Sequence, residues 1–185
     1  MRDYHEFLSE VLIPADVLQS RIRELGAQIS KDFNNSDDLI LVCILRGGVM
    51  FLTDLMRQIT VPHGVEFMAV SSYGAGQRET TGQVRISLDL NVNIHDKDVV
   101  IVEDIIDSGR TLASVIDLLS ARHPNSLTVC TLLDKAERRE VYVPVRYVGF
   151  SIPNKFVFGY GLDLDDLYRN LPFIGVVDGT KYKPE

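Results

Sequence analysis

Val99-Val100-Ile101-Val102-Glu103-Asp104-Ile105-Ile106-Asp107-Ser108-Gly109-Arg110-Thr111-Leu112 reads as a strand apolar on both faces, then an acidic turn, then the start of a helix. A strand without a polar face belongs inside a parallel sheet covered on both sides. The segment from Asp107 to Thr111 would then present backbone N–H groups and hydroxyls at a helix N-terminus, where aligned peptide dipoles favour a phosphate dianion. Gly109 lets that backbone approach a ligand closely. Glu103 and Asp104 stand just before this cradle, suited to the hydroxyls of an attached sugar and to magnesium bound beside them, because carboxylates are ligands for hard cations. An ordinary helix start, with acids complementing the dipole, is the plainer alternative. The complete run of buried strand, paired acids, Asp-Ser-Gly and Thr favours the phosphate site.

The flanking sequence supports the same architecture. Apolar runs of strand length recur at Leu39 to Leu45, Val65 to Val70, Leu127 to Leu133 and Tyr147 to Phe150. Helical spacing recurs at Val49 to Ile59 and Thr111 to Leu119, and helix-like segments separate the runs at Leu39 to Leu45, Val65 to Val70, Val99 to Val102 and Leu127 to Leu133. Near the N-terminus, Leu18, Ile22, Leu25, Ile29 and Phe33 form the stripe of an amphipathic helix, with Pro14 in its first turn. Strands alternating with helices predict an α/β protein with a mostly parallel central sheet flanked by helices. Ligands of such sheets bind beyond the carboxyl ends of the strands, which directs attention to the loops starting near Arg46, near Ser71 and at Glu103. Ser71 to Gln83 has three glycines and almost no apolar residue, the composition of a long, exposed, lid-like connection. From Val141 onward, short strands and turns with Pro144, Pro153 and Pro172 suggest a small lobe rather than a continuation of the sheet.

Composition narrows the function classes. A chain of 185 residues fits one domain. Apolar residues make up 45% and charged residues 24%, an ordinary globular balance. The formal net charge of -7 argues against non-specific nucleic-acid binding, which relies on clustered Lys and Arg, yet permits a local basic pocket for a phosphorylated metabolite. No apolar run approaches the ~18 residues of a membrane span, and the start Met1-Arg2-Asp3-Tyr4-His5-Glu6 opens no signal-peptide pattern. A cytoplasmic protein without a membrane partner is expected. Cys43 and Cys130 lie inside apolar runs and read as buried core thiols, with neither zinc spacing nor a disulfide framework. His5, His63, His95 and His123 form no metal-binding pair and read as surface residues.

With these segments the chain resembles the type I phosphoribosyltransferases, and within them the bacterial hypoxanthine enzymes, over nearly its whole length. The resemblance implies the type I phosphoribosyltransferase fold, with a core at about 14–140 and a hood lobe at about 141–185 that includes the N-terminal segment. It implies 5-phosphoribosyl diphosphate as substrate, with Glu103 and Asp104 on the ribose hydroxyls and Asp107, Ser108, Gly109, Arg110 and Thr111 around the 5′-phosphate. Arg46 and Gly47, in Leu45-Arg46-Gly47-Gly48, match a pyrophosphate loop that in relatives often carries a non-proline cis peptide before the basic residue. Ser72 and Tyr73 match a lid over the pyrophosphate, and Arg169 a pyrophosphate arginine. Lys135 matches the lysine that donates to the purine 6-oxo group, an ammonium having donors and no acceptor. Phe156 would stack on the purine and the Val157 backbone read its edge. Asp163 matches a purine-side metal aspartate, so Mg2+ is the implied cofactor, with Asp163, Glu103 and Asp104 as its candidate ligands.

The activity so implied joins hypoxanthine, and more weakly guanine, to ribose phosphate, giving IMP or GMP and pyrophosphate. Asp107 is the implied proton acceptor at purine N7. The resemblance also implies a homo-oligomer, dimer or tetramer. Two other readings remain at this stage: a regulator on the same scaffold that binds RNA or DNA, and a relative acting on xanthine or a pyrimidine. The acidic balance speaks against the first, and the full set of matching segments against pyrimidine use.

Overall fold

Along Leu39–Leu45 (β2) successive side chains enter different cores. Leu39, Leu41 and Cys43 join one apolar cluster, while Ile40, Val42 and Ile44 join the other. The two-residue period of a strand makes this division, and it requires both faces of the sheet to be covered. The computed structural model describes residues 3–72 and 84–182. Its central sheet also contains His63–Ser72 (β3), Val84–Leu88 (β4), Asp98–Ile106 (β5), Ser126–Asp134 (β6) and Val145–Ser151 (β7), in the order β4-β3-β2-β5-β6-β7. Every neighbouring pair is parallel except β3 and β4.

Helices cover both faces. In Ala15–Asp32 (α1), Leu18, Ile22, Leu25 and Ile29 fall at three- and four-residue steps on one stripe and are wholly buried. They pack into the same cluster as Phe51, Leu52 and Leu55 of Val49–Met56 (α2). On the opposite face, Leu112, Val115 and Leu119 of Arg110–Ser120 (α3) complete the second cluster. The α/β architecture expected from the alternation of elements is therefore present.

Four details differ from the sequence reading. Pro14 caps α1 from outside rather than lying within its first turn. The helical spacing assigned up to Ile59 stops at Met56. Between β3 and β5 the chain forms the antiparallel strand β4 where a helix-like segment was expected; of the expected lid from Ser71 to Gln83, Ser71 and Ser72 belong to β3 and the rest lies outside the described residues. The stretch 145–151, expected in the small lobe, hydrogen-bonds to β6 and forms the edge of the central sheet.

A second sheet unites distant parts of the chain. Leu8–Ile13 (β1), Ile174–Val177 (β9) and Val157–Phe158 (β8) lie in the order β1-β9-β8, all antiparallel. Its core is aromatic: Phe7 packs 5.7 Å from Phe158 and 5.4 Å from Tyr168, ring centre to ring centre. A polar latch ties the loop after β8 to the helices. The Tyr160 hydroxyl donates to Asp54 Oδ2 at 2.5 Å, and Gln19 Nε2 donates to the same oxygen at 2.6 Å. Burial first, and then the Asp54 carboxylate, push the Tyr160 phenol far above its usual range, so the hydroxyl keeps its proton.

Two measurements follow from this packing. Tyr160→Phe should lower the unfolding free energy by ~1.5–3 kcal/mol in denaturant titrations, the range for a hydrogen bond to a charged group. An unchanged midpoint would show the latch to be energetically idle. Burial, with Glu103 and Asp104 nearby, pushes the Cys43 thiol up to about 12, and burial also raises that of Cys130. Neither should react with an aromatic disulfide reagent in the native protein at about pH 8, and both should react once it is unfolded.

Candidate active site

Because β2, β3, β5, β6 and β7 run parallel, their carboxyl ends meet along one edge. The loops leaving that edge carry Arg46-Gly47-Gly48 after β2, Asp107 after β5, Lys135 after β6 and Ile152 to Phe156 after β7. Glu103 and Asp104 are on β5 itself rather than in a turn, since Glu103 pairs with Thr131 and the ladder to β6 continues through Ile106.

The loop opening α3 is held from behind. Gly109 adopts φ +85°, and a Cβ there would lie 2.9 Å from the Val141 carbonyl oxygen, so only glycine fits this turn. The Ser108 carbonyl accepts from the backbone N–H groups of Glu140 and Val141 at 2.9 and 3.2 Å. Arg110 turns its side chain to Glu140 at 2.6 Å, leaving its backbone as the part suited to an anion. The first N–H groups of a helix have no intrahelical partner. A cavity of about 200 Å³ opens here, lined by Glu103, Asp107, Ser108, Gly109 and Thr111 among others. A larger cleft of about 560 Å³, between Leu127 and Val148, includes none of the site residues expected from the sequence.

Beneath the loop lie two crowded carboxyls. Burial first, and then the Asp104 charge, raise Glu103 well above the usual carboxylate range. Burial also raises Asp104, opposed by the Ile105 N–H at 2.8 Å and, more weakly, by Arg169. Glu103 Oε2 is buried and has no hydrogen-bond partner among the described residues. Gly47 presses against this pair, for a Cβ on it would fall 1.6 Å from Asp104 Oδ2.

A bound divalent cation fits the donor set in one way. Hard carboxylate oxygens and an orphaned Glu103 oxygen are present, but no cluster of three or more potential metal ligands forms among the described residues. Asp163 is engaged elsewhere: its Oδ1 pairs with Arg169 Nη2 at 2.8 Å and its Oδ2 accepts the Asp166 N–H at 2.9 Å. The arrangement suits a magnesium ion that takes one or two carboxylates and completes its shell with substrate oxygens and water.

Arg169 and Arg46 bracket the loop after β2. Arg169 Nη1 donates to the Gly161 carbonyl at 2.8 Å, and Arg46 Nη2 lies 2.5 Å from Asp166 Oδ1. The Gly161 backbone comes so near the Gly47 carbonyl that a Cβ there would stand 2.1 Å away. The Leu45–Arg46 peptide is cis.

On the next strands, Lys135 is only 7% exposed, and its ammonium lies 3.6 Å from Asp107 Oδ2. Ion pairing of this kind is what lets an ammonium remain buried. Phe156 is 59% exposed, unusual for a phenylalanine, while Val157 is buried and pairs through its backbone with Val176. Ile152 N–H donates to the Asp134 carbonyl at 2.9 Å, tying the start of the loop after β7 to the end of β6. Ser72 ends β3, paired with Val84. Tyr73 lies outside the described residues.

The sequence reading missed Arg138, whose Nε is 3.1 Å from Asp107 Oδ1, and Asp166, which meets both Arg46 and Arg169. Arg138 stands three residues after Lys135, a spacing that could have flagged it. Asp166 carried no usable signal.

Residues 15–165 match the family model of the phosphoribosyl transferase domain. Hypoxanthine phosphoribosyltransferase of Escherichia coli K12 is 54% identical over 169 residues, 91% of this chain and 94% of that protein. Hypoxanthine-guanine phosphoribosyltransferase of Mycobacterium avium is 48% identical over 181 residues, 95% of this chain and 89% of that one. A crystal structure of hypoxanthine phosphoribosyltransferase from Staphylococcus aureus is similar at a TM-score of 0.93 and 46% identity, covering 98% of this chain and 97% of that one. Matched by the family model over most of its length, and similar in sequence and fold to these proteins, the chain belongs to the phosphoribosyl transferase family, on its hypoxanthine phosphoribosyltransferase branch.

Proposed function

We propose that the protein serves purine salvage, transferring the 5-phosphoribosyl group of phosphoribosyl diphosphate to N9 of hypoxanthine and releasing IMP and pyrophosphate. The observation that carries this reading is the juxtaposition of Asp107, at the mouth of the anion loop, with the buried ammonium of Lys135. An acceptor for a base proton and a donor for a 6-oxo group then stand side by side. Guanine is the second substrate, because it shares the 6-oxo group and the Mycobacterium avium relative is named for both bases.

The chain's own groups divide the work. The N–H groups and hydroxyls from Ser108 to Thr111 hold the 5′-phosphate at the start of α3. Glu103 and Asp104 orient the ribose hydroxyls, and Phe156 offers a face on which the purine stacks. As C1′ takes on oxocarbenium character, charge gathers on the departing pyrophosphate. Arg46, the Gly47 backbone and Arg169 stabilise it, with Ser72 and Tyr73 assigned to the same end. Asp107 accepts the N7 proton while Lys135 donates to O6. The Val157 backbone reads the base edge. Mg2+, with Glu103, Asp104 and Asp163 as candidate direct or water-mediated ligands, would neutralise pyrophosphate charge.

No helix among the described residues is long and apolar enough to cross a membrane. Two free thiols support a reducing, cytoplasmic environment. Val49, Met50, Phe67 and Leu88, all between 37% and 41% exposed, support assembly into a homodimer or homotetramer.

Asp107→Asn should lower kcat by ~10²–10⁴, the range for losing a general acid or base. An unchanged kcat in steady-state assays would remove Asp107 from the mechanism. With magnesium and phosphoribosyl diphosphate, turnover should fall in the order hypoxanthine, guanine, adenine, the last at least ~10²-fold down because its 6-amino group meets the Lys135 ammonium donor to donor. Comparable turnover of adenine would overturn the role of Lys135; sequence-specific nucleic-acid binding with no nucleotide synthesis would favour a regulator.

A further inference from the structure

Asp107 is gripped from two sides by one turn of chain. Lys135 and Arg138 flank the short 3-10 turn Ala136–Arg138, and Arg138 N–H bonds to the Lys135 carbonyl at 2.9 Å. Side chains three residues apart in such a turn point the same way. Here Lys135 Nζ lies 3.6 Å from Asp107 Oδ2, and Arg138 Nε 3.1 Å from Oδ1. The turn is itself pinned to the end of β5, one residue before Asp107, since Lys135 N–H donates to the Ile106 carbonyl at 3.0 Å. The other arginines nearby have carboxylates of their own: Arg139 pairs with Asp134 and Arg110 with Glu140.

From this geometry we infer that Arg138 is a positioning residue for the transfer reaction, fixing the rotamer of Asp107 so that its Oδ2 faces Lys135 and the purine proton. The inference rests on the reading of Asp107 as proton acceptor. Asp107 has a rotatable carboxyl about half exposed to water, and Lys135, at 3.6 Å on one oxygen, does not hold it alone. The 3.1 Å contact from Nε supplies the second point that defines the plane of the carboxylate. Both partners are close to half exposed, so water screens the charge of Arg138 and its contribution is to orientation rather than to electrostatics. Arg138 touches no reacting atom in this scheme.

A double-mutant cycle tests it, with melting temperatures measured alongside. Arg138→Met, which keeps a long side chain but has no donor, should lower kcat about tenfold, less than the ~10²-fold of a misplacement by a full 1 Å, with KM for phosphoribosyl diphosphate within about twofold. Arg138→Lys, which keeps a donor, should retain most of the activity. In an Asp107→Asn background the same Met substitution should cost less than about twofold, because the group it orients is gone. An unchanged kcat in Arg138→Met, or an equal loss in both backgrounds, would overturn the inference while leaving Asp107 as base. Full activity in Asp107→Asn would overturn both.

Discussion

The close packing of β5 between β2 and β6 is the constraint from which the other features follow. Val99 to Val102 are fully buried, so this strand has no polar face and must be covered by helices on both sides. Its parallel pairing on either side brings three strand ends to one edge. Register does the rest: Cys43 stands opposite Val102, so the last residues of β2 come level with Glu103 and Asp104, and the loop leaving β2 starts beside them. That is how Gly47 arrives against the Asp104 carboxyl although 57 positions separate them in number. The chemistry occupies the boundary where the hydrophobic sandwich ends and polar backbone begins.

What could be read from the sequence was what burial writes into it. Leu39–Leu45 was delimited correctly because all its residues are apolar and Arg46 closes it. The stripe of α1 was equally plain. By contrast β1 buries only Ile13 fully, so its alternation is faint, and β8 has two residues, too few for any period. In β5 the apolar run stops at Val102 but the hydrogen bonds do not, and Glu103 and Asp104 were therefore placed in a turn. In β7 only Tyr147 is buried, the signature of an edge strand, which made it look like part of a separate lobe.

The site divides in the same way. Asp107 to Thr111 stand out by motif and by family likeness, Lys135 and Phe156 by family likeness alone. The contacts around them are not legible in the sequence. Arg138 reaches a carboxylate across 31 positions and Arg46 one across 120, and side-chain pairing over such separations leaves no local periodicity. Arg46, Arg169 and Asp166 form a chain of charges that the loop between β8 and β9 completes by folding back onto the end of β2.

The small antiparallel sheet has a consequence for how the molecule is made. Its first strand, Leu8–Ile13, has no partner until Ile174–Val177 emerges from the ribosome, whereas β2, α2 and β3 are consecutive in the chain. Long-range pairing of this kind pays its loop-closure entropy before it gains any contact, which makes it slow. The layers around the central sheet should therefore consolidate first, leaving β1 without its partner strand until the chain is complete. The small sheet and the loop between β8 and β9 would be the last to set, so the turn that opens α3 would form well before Asp166 could reach Arg46.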